Sequence, residues 1–88
     1  MTSKERAKLR GLASTENTVI QIGKSGITDA VIASVDTALT ARELIKGKVL
    51  ESSMLTAREA CEQLAEAVGA EPVQAIGTKF VLYRKKQD

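Results

Sequence analysis

The sequence predicts a compact α/β domain in which a four-stranded mixed sheet packs with three helices in the order α-β-α-β-α-β-β. Three observations predict it. Apolar residues recur at helical spacing in three segments, each opened by a Ser or Thr cap, and short runs rich in Val, Ile and Leu lie between and after them. Strands that alternate with helices call for crossover connections, and so for parallel pairing. The last two apolar runs are joined only through Gly77-Thr78-Lys79, too short for a helix, so they form a terminal antiparallel hairpin.

The first helix runs from Ser3 or Lys4 to Ala13. Thr2 and Glu5 have capping-box spacing, Ser3 is a competing cap, and Leu9, Leu12 and Ala13 supply the apolar edge. Lys4 with Lys8, and Arg6 with Arg10, make two basic rows four residues apart, which serve equally as a solvated face or as a contact for RNA. Ser14 to Asn17 is a polar connection, and Val19 to Ile22 is the first strand. The second helix spans Thr28 to about Ala41: Ile27, Val31, Val35 and Leu39 recur every four residues, Thr28 is the cap, and Ile27 can staple onto Ile32.

Leu44 to Leu50 is the second strand. Alternation puts Ile45, Gly47 and Val49 on one face and Lys46 and Lys48 on the other, and two neighbouring lysines require that face to look to water or to an anion. Gly47 weakens the strand and is expected at a bulge or under a closely approaching helix. Ser52 to Leu55 is a loop, after which Thr56 and Glu59 form a capping box. Ala57, Ala60, Cys61, Leu64, Ala65 and Val68 fill the apolar stripe of a third helix that ends at Gly69. Cys61 falls inside that stripe and reads as a small buried hydrophobe, not a reactive thiol. Val73 to Ile76 and Phe80 to Tyr83 are the last two strands, and residues 85–88 are a polar tail.

With 88 residues there is room for one domain, expected over residues 1–84, and none for a second catalytic one. Aromatic residues are only Phe80 and Tyr83, which argues against a base-stacking platform. The sequence has no His and a single Cys, so His-based acid–base chemistry and most zinc patterns are excluded; no cofactor, no metal and no enzymatic activity are expected. No run is long enough to span a bilayer and the N-terminus lacks a secretory core, which predicts a cytoplasmic protein without a membrane partner. Net charge is only +2, yet the signs are segregated. Lys4, Arg6, Lys8 and Arg10 stand at one end, Lys79, Arg84, Lys85 and Lys86 at the other, and between Glu51 and Glu71 Arg58 faces five glutamates.

The chemistry is expected at Gly23-Lys24-Ser25-Gly26, between the first strand and the second helix. Two glycines allow a sharp turn and close approach to a ligand, amides at the helix start favour an anion, and Lys24 adds charge at the tip. Asp29 in the first helical turn partly opposes that anion. Gly23-Lys24-Ser25 also matches the tail of the phosphate loop of nucleotide hydrolases, but the leading glycine that motif requires is Thr18 here, so the match is accidental. A Gly-x-x-Gly clamp of the kind in KH modules, which holds several backbone nucleotides of single-stranded nucleic acid against a helix without catalysis, fits better. By itself the motif is no more than a strand-to-helix turn. The lysine in the loop, the strand before it, the capped helix after it and the pair Lys46 and Lys48 give it context.

Gln21-Ile22-Gly23-Lys24-Ser25-Gly26-Ile27-Thr28, Ala41-Arg42-Glu43-Leu44-Ile45-Lys46, Val73-Gln74-Ala75-Ile76-Gly77 and Phe80-Val81-Leu82-Tyr83-Arg84 together resemble the YhbY-like proteins, the stand-alone bacterial form of the CRM domain. The resemblance extends from about Ser3 to Arg84. It implies a fold similar to the C-terminal domain of translation initiation factor 3 and an RNA-binding role on precursors of the large ribosomal subunit. The family's glycine loop maps onto Gly23, Lys24, Ser25 and Gly26, and its basic surface onto Lys46 and Lys48; Gly47 departs from the larger apolar residue common there. The expected RNA site is thus the loop with Lys46, Lys48, Arg6, Arg10 and Arg84, on a monomer that binds structured rRNA. The alternative is a protein adaptor that works through the acidic third helix.

Overall fold

The computed structural model describes residues 2–85; Met1 and the tail residues Lys86, Gln87 and Asp88 lie outside it. Helix α1 (Ser3–Ala13) is followed by β1 (Thr18–Ile22), α2 (Asp29–Arg42), β2 (Leu44–Val49), a 3-10 turn (Glu51–Ser53), α3 (Ala57–Val68), β3 (Glu71–Ile76) and β4 (Lys79–Tyr83). The predicted element order holds. Each helix starts where its hydroxyl cap demands: the side chains of Thr2, Thr28 and Thr56 accept from the amides of Glu5, Val31 and Glu59, and Thr56 with Glu59 completes the capping box. Helix α3 ends on Gly69 at φ 66°, the left-handed conformation that closes a helix.

The sheet order is β1-β2-β4-β3. Only β1 and β2 pair in parallel, through the α2 crossover; β4 runs antiparallel to both β2 and β3. The expected crossovers and terminal antiparallel hairpin are present, and β4 adds a second antiparallel pairing, with β2, that was not expected. The α3 crossover carries β3 past the neighbouring position, and the hairpin returns β4 into the gap. Helices α2 and α3 cover one face, over Ile20, Ile22, Ile45, Val49, Phe80 and Leu82, while α1 packs Leu9 and Ala13 on the other against Leu44, Val73, Val81 and Tyr83. No helix of the described residues is long and apolar enough to cross a membrane.

Gly47 is neither a bulge nor a contact point for a helix. It pairs across the sheet with Phe80, and a Cβ added there would stand 2.6 Å and 2.7 Å from two ring carbons of a fully buried side chain. The missing side chain is the seat of the ring. Register shifts lie instead in β1, between Thr18 and Ile20, and in β3, between Pro72 and Gln74.

Arg84 bolts the sheet to both covering helices. Its Nη1 donates to Asp36 Oδ1 (2.6 Å) and to the Val68 carbonyl at the end of α3 (2.8 Å), and its Nη2 donates to the Asp36 carbonyl and Thr40 Oγ1 (both 3.0 Å). A planar fork with several fixed donors can do this; a lysine cannot. Because Asp36 is itself largely exposed, most of the loss on substitution comes from the carbonyls and not from the ion pair. Arg84→Ala is expected to lower stability by about 2 kcal/mol, with Arg84→Lys recovering less than half, as read from urea midpoints.

Candidate nucleic-acid interface

The loop is anchored by Ile22, fully buried before it, and by Ile27 and Val31, which pack on the same core after it. Between them the Gly26 amide donates to the Gly23 carbonyl at 2.9 Å, closing a four-residue turn with Lys24 and Ser25 exposed at its tip. Gly26 has φ +70°, which a side chain adopts only with strain, whereas an added Cβ on Gly23 would meet nothing closer than Leu50 at 3.7 Å. The two glycines therefore differ in kind. Gly26→Ala is expected to cost about 1 kcal/mol of stability, and Gly23→Ala less than about 0.5, so that any loss of ligand affinity in the second reports approach of the ligand and not folding.

The anion-binding groups of the loop also differ from those expected. The Gly26 amide closes the turn, and the Val31 amide at the start of α2 is taken by Thr28 Oγ1 at 3.2 Å. The amides of Ser25 and Ile27 carry no hydrogen bond among the described residues and remain available to an oxygen. Asp29 opens α2 exposed beside them.

Lys46 and Lys48 lie, half-buried, on the face that α1 covers, in register with Val81 and Lys79 of β4 and with Thr18 and Gln21 of β1. Helix α1 stops at Ala13 and leaves the end of that face uncovered. Beyond it opens a groove of about 290 Å³ lined by Arg10, Lys46, Lys79, Gln74 and Ile76. Lys48 and Lys79 stand directly opposite each other, an arrangement that costs stability in a sheet unless an anion joins them. Among the described residues none of Lys24, Lys46, Lys48, Lys79 and Arg10 pairs with a carboxylate.

The structure puts Arg10 and Lys46 with Lys79 in one groove and Lys48 opposite Lys79. Lys48, in register with Gln21, lies toward the end from which the Gly23–Gly26 loop leaves β1, whereas Lys46, in register with Thr18, lies at the start of that strand. It adds Lys79, Gln74 and Gln21, which the sequence-based site omits. Arg6 and Arg84 stand elsewhere. Arg6 shares the sheet-facing stripe of α1 with Leu9 and Ala13 and is half-buried, its Nε enclosed with no hydrogen-bond partner among the described residues, and the Arg84 guanidinium is engaged with α2 and α3.

Helix α3 carries Glu59, Glu62 and Glu66 exposed on the opposite side of the sheet, so acidic and basic surfaces are segregated. Cys61 sits under that helix with its Sγ 3.7 Å from the Val81 carbonyl. Burial, reinforced by the charge of Glu62 and only partly offset by a backbone hydrogen bond at Val81, pushes its thiol up to about 11, which leaves almost no thiolate for chemistry near neutral pH.

A model of the CRS1 / YhbY (CRM) domain matches residues 1–84. The chain is 34% identical, over all 88 residues and 92% of the relative, to the probable RNA-binding protein YqeI of Bacillus subtilis. It is 34% identical over its full length to an RNA-binding protein of Haemophilus influenzae, of which it covers 89%. The solution structure of a hypothetical Staphylococcus aureus protein, described as a candidate RNA binder, superposes with a TM-score of 0.76 at 35% identity, covering the whole chain and 92% of that protein.

Proposed function

The chain belongs to the CRS1/YhbY (CRM) domain family, and from that premise we propose that it binds RNA, specifically structured rRNA in precursors of the large ribosomal subunit, as a non-catalytic, monomeric, cytoplasmic single-domain protein. The observation that supports this most strongly is the cluster of cations on the sheet face beyond α1, Arg10, Lys46 and Lys79 lining one groove and Lys48 opposite Lys79, none paired with a carboxylate among the described residues. Names of relatives supply the ligand class; this surface supplies the means.

In this reading the amides of Ser25 and Ile27 and the Lys24 ammonium meet phosphate oxygens at the loop, with Gly23 and Gly26 permitting approach. Lys46, Lys48 and Arg10, joined by Lys79, hold further phosphates on the sheet face. Arg6 extends the footprint along α1, and Arg84 contributes by holding α2 and α3 against β4. The acidic face of α3 points away from the RNA and, by repulsion, orients the protein on it. Contacts of this kind position the protein without reading sequence.

The test is sedimentation of the purified protein with large-subunit precursors, mature large subunits and small subunits, each with and without ribonuclease. Co-sedimentation confined to the precursors and abolished by ribonuclease is expected. If variants at Lys24, Lys46 and Lys48 co-sediment unchanged, the acidic α3 face becomes the working surface and the protein an adaptor.

A further inference from the structure

The ligand class of this surface can be narrowed, a step that rests on the RNA-binding reading above. We propose that the groove beyond the end of α1 and the glycine loop together take base-paired RNA, engaged through the backbones of both strands, in preference to an unpaired strand.

Modules that read the bases of unpaired RNA commonly stack them on exposed aromatic rings or on arginine planes. This chain has two aromatic residues and neither is free to do so. Phe80 is fully buried over Gly47, and Tyr83 is half-buried in the cluster under α1. A groove lined by two lysines, an arginine, a glutamine, a serine and aliphatic side chains offers no aromatic ring to a splayed base.

The layout of the charges points the same way. Lys24 follows β1, Lys46 and Lys48 lie on β2, and Lys79 opens β4, so the cations spread over three adjacent strands, roughly 10 Å across at the usual strand spacing. That is a patch and not a single-file track. The strand sets the Cα atoms of Lys46 and Lys48 roughly 6.7 Å apart on one face, and Lys79 stands opposite Lys48. Cations attached at fixed spacing on one surface suit a partner with a regular array of phosphates, and the A-form helix, with its wide, shallow minor groove, is one. Gln21, in register with Lys48, and Gln74, in the groove, place neutral donors and acceptors among the cations, suited to 2′-hydroxyls.

The experiment measures binding by fluorescence anisotropy over a salt series to an RNA duplex of about 20 base pairs, to one of its strands alone and to the DNA duplex of the same sequence. The full chain is compared with the Lys46→Ala, Lys79→Ala double variant, its fold checked by circular dichroism. The duplex RNA is expected to bind at least about tenfold tighter than either the single strand or the DNA. The double variant should flatten the duplex salt slope by roughly 1.8, about 0.9 for each phosphate that a lysine no longer neutralises. Single-strand binding as tight as duplex binding overturns the inference and leaves the RNA-binding reading standing. An unchanged slope in the folded variant overturns the placement of the duplex on the groove. Failure to bind any RNA overturns both readings.

Discussion

Gly47→Ala is expected to remove about 3 kcal/mol of stability, a large share of what a domain of this size possesses. The methyl group would enter the Phe80 ring, which is fully buried with Ile22, Ile45 and Leu82 around it and has no empty side to move toward. Glycine in a strand is ordinarily a small handicap; here it is the complement of an aromatic cross-strand partner. The measurement is equilibrium unfolding in urea of Gly47→Ala, Phe80→Leu and the pair. Phe80→Leu alone leaves a void, but in the pair the smaller side chain also relieves the overlap, so the two costs should sum to clearly more than the cost of the double variant. Additive costs would mean that ring and glycine do not share this space.

A second large effect should separate binding from folding. Reversing Lys46 and Lys48 together to Glu is expected to weaken RNA affinity roughly 100-fold near 0.1 M salt, since neutralising one phosphate is worth close to a decade there and the new charges repel. Stability should not fall. Lys48 faces Lys79 across the strand pair, and Lys48→Glu converts a repelling pair into an attracting one. A thermal midpoint that holds or rises while affinity collapses is the expected signature. A loss of binding in proportion to a loss of fold would assign the lysines a structural role.

What was legible in the sequence was local. Thr56 with Glu59, Thr28 and Gly69 are positions where a short-range rule leaves one good solution, and the helices begin and end there. Three strands are longer than their apolar runs by a residue or two, Thr18 in β1, Glu71 and Pro72 in β3 and Lys79 in β4, because pairing continues past the hydrophobic stretch, while β2 stops at Val49, one residue short of the expected Leu50. Strand order was not legible. No local signal says that β4 enters between β2 and β3, and that insertion alone sets Lys79 beside Lys48 and Phe80 over Gly47. For the same reason Arg84 looked like one more cation of a basic tail. Its partner Asp36 is 48 residues away, and only the closed fold brings them to 2.6 Å. The loop was found from its glycines, but which amides it offers depends on the turn bond from Gly26 to Gly23 and on the Thr28 cap.

The most direct test of the central claim is the salt dependence of binding to structured large-subunit rRNA fragments for the unaltered chain, Lys24→Ala and a Lys24→Asp, Ser25→Asp double variant. Lys24 and Ser25 are exposed at the tip of the turn and carry no structural load, so the variants should fold as the parent does. If the loop holds phosphate, Lys24→Ala should bind more weakly and flatten the plot of log affinity against log salt by roughly 0.7 to 0.9, and the double variant should bind more weakly still. Identical affinities and slopes for all three folded chains would contradict the account and reduce the glycine turn to a connection between β1 and α2.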